Sequence, residues 1–335
     1  MTATRLPNPP WRDWRRALSV LALGWSLGHA GAQAAAPACP PSPQSLLTPA
    51  AMEQARQDPR DRGFLWRLEK DGRTSWLYGT LHVGRAAWLV PGPQVAQALR
   101  SSDTVALELD ILDARSMQPL TSSGDPKQNA EVLTPGRARQ LAALWAQACV
   151  EGEQSGLLRA MSPVLQASTL SGLVGRGDGL YADFGSELVL AAYARKAGLP
   201  VIALETAEQQ YAALVPDTAE AQAEVLDQFL TQLRSGAVRQ QMLALARLWA
   251  DSDLAKLLSY EKWCDCLETA EEKAQWKKLL DERNPHMADG IAAAHGRGGH
   301  VFAAVGALHM AGTAGLPQLL AQRGFTVTQV LPAAR

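Results

Sequence analysis

The chain has almost no net charge: 32 Lys and Arg residues against 33 Asp and Glu give a formal −1 at pH 7, and no basic stripe runs along any segment. A nucleic-acid backbone would find no electrostatic footprint, so nucleic acid is excluded as a partner. Cysteine is scarce, with four in 335 residues, and Cys264-Asp265-Cys266 is too tightly spaced for a zinc knuckle. The Gly-x-Ser-x-Gly elbow of serine hydrolases and the His-Glu-x-x-His helix of zincins are both missing. Gly172, Gly175, Gly177 and Gly179 are not followed by Gly-Lys-Ser/Thr and fail the dinucleotide fingerprint, so they make no phosphate loop.

Long apolar runs are also rare. One occupies residues 17–27, preceded by Arg12, Arg15 and Arg16 and followed by small residues through Ala36. That order is the one a secretory signal has, and the run is too short to stay in a bilayer as a permanent helix. Ala30-Gly31-Ala32 and Ala32-Gln33-Ala34 both satisfy the small-x-small rule. Residues 1–34 are therefore expected to be a signal peptide, 35–60 a proline-rich, extended linker, and 61–335 a single domain. The product is expected in the periplasm or outside the cell, with no stable membrane anchor once the signal is cut. The Ala-Pro-Ala before Cys39 makes a poor lipidation box. In such a compartment the four cysteines read as disulfides, with Cys149 expected to bond Cys264 or Cys266.

What the chain does have is a globular balance, 47% hydrophobic and 19% charged residues, enough to bury a sizeable core. Residues 64–68 and 75–79 flank Asp71-Gly72, a hairpin signal. Residues 93–101 have helical spacing, and 104–110 read as a buried strand carrying Glu108 at its end. Residues 114–132 are polar and turn-rich, which suggests a flexible flap. Helical patterns follow at 135–175, 186–198, 217–236, 238–250 and 269–295, interrupted by a strand at 201–205. A strand at 301–305, a helix at 315–323 and a strand at 326–331 close the chain. The fold class is α/β: a mostly parallel sheet flanked by helices, with an N-terminal antiparallel hairpin and a large helical insertion over about 135–295.

Two strand ends share one punctuation. "YGTLHVG" (78–84) and "VGALHMAG" (305–312) each follow an apolar run with Gly-x-x-His, giving Gly79 with His82 and Gly306 with His309. Glycine removes the Cβ, so the backbone can bend tightly and a ligand or metal can approach it. Side chains beyond the carboxyl ends of parallel strands collect on one edge, where His82, Glu108 and His309 would meet. Two imidazoles and a carboxylate can ligate a divalent metal with open positions, or act without metal on a water nucleophile. A single strand-end histidine is more often structural; two in the same context raise the functional reading. Glu205, also at a strand end, reads as a helix cap or a support for the site, and Tyr211 as a packed aromatic. His286, His295 and His300 lie in polar context and read as solvated.

"YGTLHVG", "ALELD" (106–110), "ALETAEQQ" (203–210), "ERNPHMADGI" (282–291) and "VGALHMAGTAGLPQLLAQRGFTV" (305–327) together resemble the TraB/GumN family, which includes the TIKI proteases and is similar in fold to the erythromycin esterase and ChaN-like group. The resemblance runs from about residue 64 to 331. It implies an exported hydrolase acting on a peptide or protein substrate with a divalent metal such as zinc, manganese or cobalt. It also implies His82, His309 and Glu108 as ligands, with Glu108 alternatively the general base, and Gly79 and Gly306 beside the bound group. Arg283 and Asn284 match the family's Arg-Asn pair. Arg283 would bind a substrate carbonyl or hold Glu108, and an ordinary ion pair is an equally good reading. The alternatives are a haem- or ligand-binding module of the same fold, as the ChaN likeness allows, or a pseudoenzyme acting as an interaction factor.

Overall fold

Asp71 and Gly72 both adopt positive φ, 52° and 71°, the geometry of a two-residue hairpin turn that glycine tolerates at no steric cost. The turn joins β1 (Phe64–Lys70) to β2 (Arg73–Thr80) in antiparallel register. The computed structural model describes residues 39–332 apart from Glu151, Asp265 and Glu268. The remaining strands are β3 (Thr104–Leu107), β4 (Val201–Ala203), β5 (Val301–Gly306) and β6 (Thr326–Leu331). Their order is β4-β3-β5-β2-β1-β6. The four strands from β4 to β2 are mutually parallel, and β1 runs against both β2 and β6.

β5 lies in the middle and is buried at every position. Its sequence, Val-Phe-Ala-Ala-Val-Gly, has no polar alternation because a parallel strand covered by helices has no wet face. Met287 and Ile291 from the helix Asn284–Gly296, and Leu190 and Ala194 from the helix Ser186–Ala197, pack into the same core. A second apolar cluster gathers Trp145, Leu165, Leu170, Leu226 and Leu230 from the helices Pro135–Gln147, Pro163–Leu173 and Ala219–Ser235.

The α/β class, the hairpin and the mostly parallel sheet match expectation, while several segments differ. The expected strand at 201–205 is present as β4 and divides the helical region, but 135–175 contains three helices, the third started by Pro163 at its first turn. The run at 269–295 breaks through a π turn (Lys277–Asp281) into a new helix with Pro285 at its start, since proline fits a first turn and disrupts an interior one. Residues 114–132 form no open flap: a 3-10 turn at Gln118–Thr121 leads into the helix Pro126–Val132, capped by the Asp125 carboxylate. Nor is the proline-rich stretch an extended linker. Ser42 and Thr48 cap the helices Pro43–Leu46 and Pro49–Gln57, so these prolines start helices. His295 is not solvated but buried: Met287, Ile291 and His295 fall four residues apart on one helix face. Its ring bonds Ser75 Oγ (2.8 Å) and the Lys70 carbonyl (3.0 Å). His300 is half-buried with its Nδ1 2.7 Å from the Thr74 carbonyl, and only His286 of the three is exposed. Tyr211 packs against the second cluster.

The expected signal segment lies outside the described residues. Among the described residues no helix is long and apolar enough to cross a membrane. The cysteines pair differently from expectation: Cys39 bonds Cys149, and Cys264 bonds Cys266. Tertiary folding brings Cys39 beside Cys149, helped by the Tyr181 hydroxyl, which donates to the Pro41 carbonyl and ties down the same segment. Both bonds suit an oxidising compartment.

The two disulfides should differ sharply in what they contribute. Cys39–Cys149 closes a sequence separation of 110 and Cys264–Cys266 a separation of 2, and the stabilisation from restricting the unfolded chain grows with loop length. Replacing Cys39 and Cys149 by alanine is expected to cost about 4 kcal/mol, and replacing Cys264 and Cys266 under about 2 kcal/mol. Equilibrium denaturation of the two double variants checks the order; equal losses would show that loop closure is not what matters.

Candidate functional site

Because β2, β3, β4 and β5 are parallel, their carboxyl ends share one edge, and the chain leaves them with His82, Glu108, Glu205 and His309. Backbone pairing of β3 with β4 continues past the strands: the Glu205 N–H donates to the Glu108 carbonyl at 3.0 Å. Two buried glutamates, 7% and 5% exposed, therefore stand side by side.

Arg283 neutralises both. Its Nη2 donates to Glu108 Oε2 at 2.9 Å and also to Glu205 Oε2, while its Nε donates to Glu205 Oε1 at 2.9 Å. This contact is at once a tether on Glu108 and a buried ion pair, two of the readings open to Arg283. Gln210 Nε2 donates to Glu108 Oε2 as well (3.2 Å), and the Gly306 N–H donates to Oε1 at 2.7 Å. Burial alone would raise the Glu108 carboxyl, but the positive charges of His309, His82 and Arg283 and the Gly306 N–H outweigh it and hold it at about 2. Such a carboxylate is a standing negative charge and a poor general base.

The His82 loop is fastened to the start of the helix Ser186–Ala197. The Leu81 N–H donates to Ser186 Oγ (2.8 Å), the Ser186 N–H donates to the Leu81 carbonyl (3.0 Å), and Gly185 lies so close that a Cβ there would sit 2.5 Å from the His82 carbonyl oxygen. The next residue, Glu187, is buried in the first helical turn, where the helix dipole favours a carboxylate. Its Oε1 accepts from the Thr80 hydroxyl and lies 2.9 Å from His82 Nδ1. Its Oε2 is buried and has no hydrogen-bond partner. Glu187 draws His82 upward from its ordinary value. The His82 side chain is 76% exposed, so water screens part of that pull.

His309 lies in the turn Ala307–Met310, buried, with Nδ1 against Asn284 Oδ1. Asn284 Nδ2 donates to the Ala314 carbonyl at 2.8 Å. That bond fixes the amide so that Oδ1 accepts, which places the His309 proton on Nδ1 and leaves the Nε2 lone pair available. Burial pushes His309 down to about 4, so it is neutral at pH 7.

Gly306 is where these groups converge. A Cβ built there would lie 3.2 Å from Glu108 Oε1, 3.6 Å from His309 Cδ2 and 3.7 Å from His82 Nε2. Gly79 differs: its Cβ would meet Phe64, Met310 and Ala307, so this glycine serves packing and touches none of the site's polar groups. The structure thus gathers His82, Glu108 and His309 around one point. The compact donor set, however, is His82, Glu108 and Glu187, whose ligand atoms all lie within 4.8 Å of one another. His309, expected as a ligand, stands beside this group, and Glu187, which the sequence reading missed, belongs to it. The available signal was an acidic residue following Gly185-Ser186 at a helix start. One imidazole and two carboxylates suit a divalent cation, and the orphaned Glu187 Oε2 is the kind of buried oxygen that a cation would satisfy. The group opens into a cleft of 440 Å³ whose apolar walls include Ile111, Met117, Leu188 and Leu214.

Three substitutions separate structural from site roles. Arg283→Ala leaves Glu108 and Glu205 buried without their cation and is expected to cost about 3–5 kcal/mol in denaturation experiments. Gly79→Ala is expected to cost about 1–3 kcal/mol through overpacking. Gly306→Ala, whose nearest contacts are site groups, should instead alter cation binding with a smaller loss of stability; a calorimetric titration that finds it indistinguishable from the parent would count against the convergence described.

Comparison with curated proteins and with solved structures found no match. A family description does match, over residues 64–329, a span that includes all six strands except the last residues of β6 and every polar group of the site. The chain belongs to the TraB/PrgY/gumN family.

Proposed function

We propose that the chain is an exported, metal-dependent hydrolase acting on peptide bonds, with the cation held by His82, Glu108 and Glu187. The observation that carries this reading is the unpartnered, buried Glu187 Oε2 within a donor group only 4.8 Å across. The signal-like order of residues 1–36 and the two disulfides support export to the periplasm. The likeness to TIKI proteases supports a peptide substrate and zinc, manganese or cobalt as the ion.

When bound, the cation would supply an acidified water and polarise the scissile carbonyl. The protein's own groups do the rest. Glu187 Oε1 lies against His82 Nδ1 and fixes the ring beside Glu108, while its second oxygen, Oε2, is the one left for the cation. Arg283 keeps Glu108 ionised and fixed. His309, neutral and locked by Asn284, presents Nε2 as an acceptor that orients the attacking water. The apolar cleft walls exclude competing solvent.

Calorimetric titration of chelator-treated protein with zinc, manganese and cobalt, combined with digestion of an unbiased peptide library, tests this. One equivalent of cation should bind, and Glu187→Gln and His82→Ala should each weaken it by about 10-fold to 100-fold and reduce turnover by about 100-fold. His309→Ala should keep the cation and lose turnover by about 100-fold. Cation binding undiminished in Glu187→Gln would sink the ligand assignment, and a loaded protein that cleaves no peptide would sink the activity.

A further inference from the structure

Behind the wall that carries His82 and Glu187 lies a second cavity, of 270 Å³, unrelated to the donor group. Tyr78, Trp88, Val95, Leu99, Leu190 and Trp249 give it an apolar interior. Among the described residues, its charged lining consists of cations: Arg60, Arg62 and Lys196. Arg85 adds a fourth nearby, because the guanidinium groups of Arg62 and Arg85 lie 5.8 Å and 5.7 Å from the centroid of the same Trp88 ring.

The acids close to this mouth are already engaged. Asp58 pairs with Arg60 at 2.8 Å, and the Asp61 carboxylate accepts from the Gln94 and Val95 N–H groups at 3.0 and 3.2 Å. Among the described residues no ion pair involves Arg62, Arg85 or Lys196. Arg62 is half-buried, and the one hydrogen bond its guanidinium donates goes to the Arg60 carbonyl, 3.2 Å away. Asp58 and Asp61 act on Arg62 only at longer range, so this partly desolvated guanidinium at the mouth of an apolar cavity has no carboxylate in direct contact with it. An anion attached to an apolar body would satisfy both surfaces at once.

We propose that this cavity is a ligand site for a medium-chain aliphatic carboxylate, the hydrocarbon lying among Tyr78, Trp88, Leu99 and Trp249 and the carboxylate meeting Arg62 and Lys196. The volume sits just under the roughly 300 Å³ at which pockets for drug-sized ligands begin, which sets the size class. This site stands independently of the hydrolase reading, since none of its residues belongs to the donor group.

The test is calorimetric titration of the full chain with decanoate below its micelle concentration, with decylamine and decanol as controls. Decanoate should bind with a stoichiometry of one, and decylamine about tenfold more weakly or less. Arg62→Gln should weaken decanoate about tenfold, the loss of one charged hydrogen bond, and leave decanol nearly unchanged. Val189→Trp, which fills the cavity from the helix Ser186–Ala197, should abolish binding of both. No saturable binding, equal affinity for acid and amine, or decanoate affinity untouched by Arg62→Gln would overturn the proposal. Arg62 lies at the cavity mouth, so that variant remains informative if Val189→Trp does not fold.

Discussion

Everything at the sheet edge depends on Arg283. Parallel pairing of β3 with β4 extends to Glu108 and Glu205, which forces two carboxylates together in a buried place. Like charges so placed repel, and burial would drive one of them to take up a proton. A single guanidinium with five donors in a planar fork can serve both, and lysine cannot match that geometry. The π turn and the restart at Pro285 put Arg283 where the fork reaches them, and its Nη1 donates back to the Leu279 carbonyl at 2.8 Å. The break in the helix is thus part of how the site is built.

Around that fixed negative centre the two imidazoles sit in different settings, one governed by Glu187 and the other by burial. His82, open to the cleft and next to Glu187, is drawn toward its charged form, while His309, sealed behind Asn284, is kept neutral. The repeated Gly-x-x-His motif therefore delivers the same side chain into opposite electrostatic settings. The two glycines diverge in the same way: Gly306 leaves room at the meeting point of the polar groups, and Gly79 lets β2 lie against the turn that carries His309.

This divergence also explains how far the sequence could be read. Strand-end logic found His82, Glu108 and His309, because parallel strands have a common edge whatever connects them. It correctly gave the α/β class and the hairpin, since Asp71-Gly72 and the apolar runs are local signals. Glu187 was out of reach because it arrives on a helix, and only the tertiary contact between Gly185 and the His82 loop brings it in. The cysteine pairing failed for a similar reason: Cys39 meets Cys149 in a segment that the Tyr181 hydroxyl ties down at Pro41, a tertiary contact that spacing does not reveal. His295 was misread by composition, although its helical spacing from Met287 and Ile291 placed it on the buried face.

The partition between the polar cleft and the apolar cavity is made by three consecutive residues. Gly185 permits backbone contact with His82, Ser186 pairs with Leu81 in both directions, and Glu187 takes the imidazole. All three sit at the start of one helix, so the orientation of that helix sets the position of the donor group on one side. On the other side Ser186, Val189 and Leu190 line the second cavity. A shift of the helix axis would move both surfaces together, because its first turn is bonded directly to the loop and packed cores transmit displacement with little compliance.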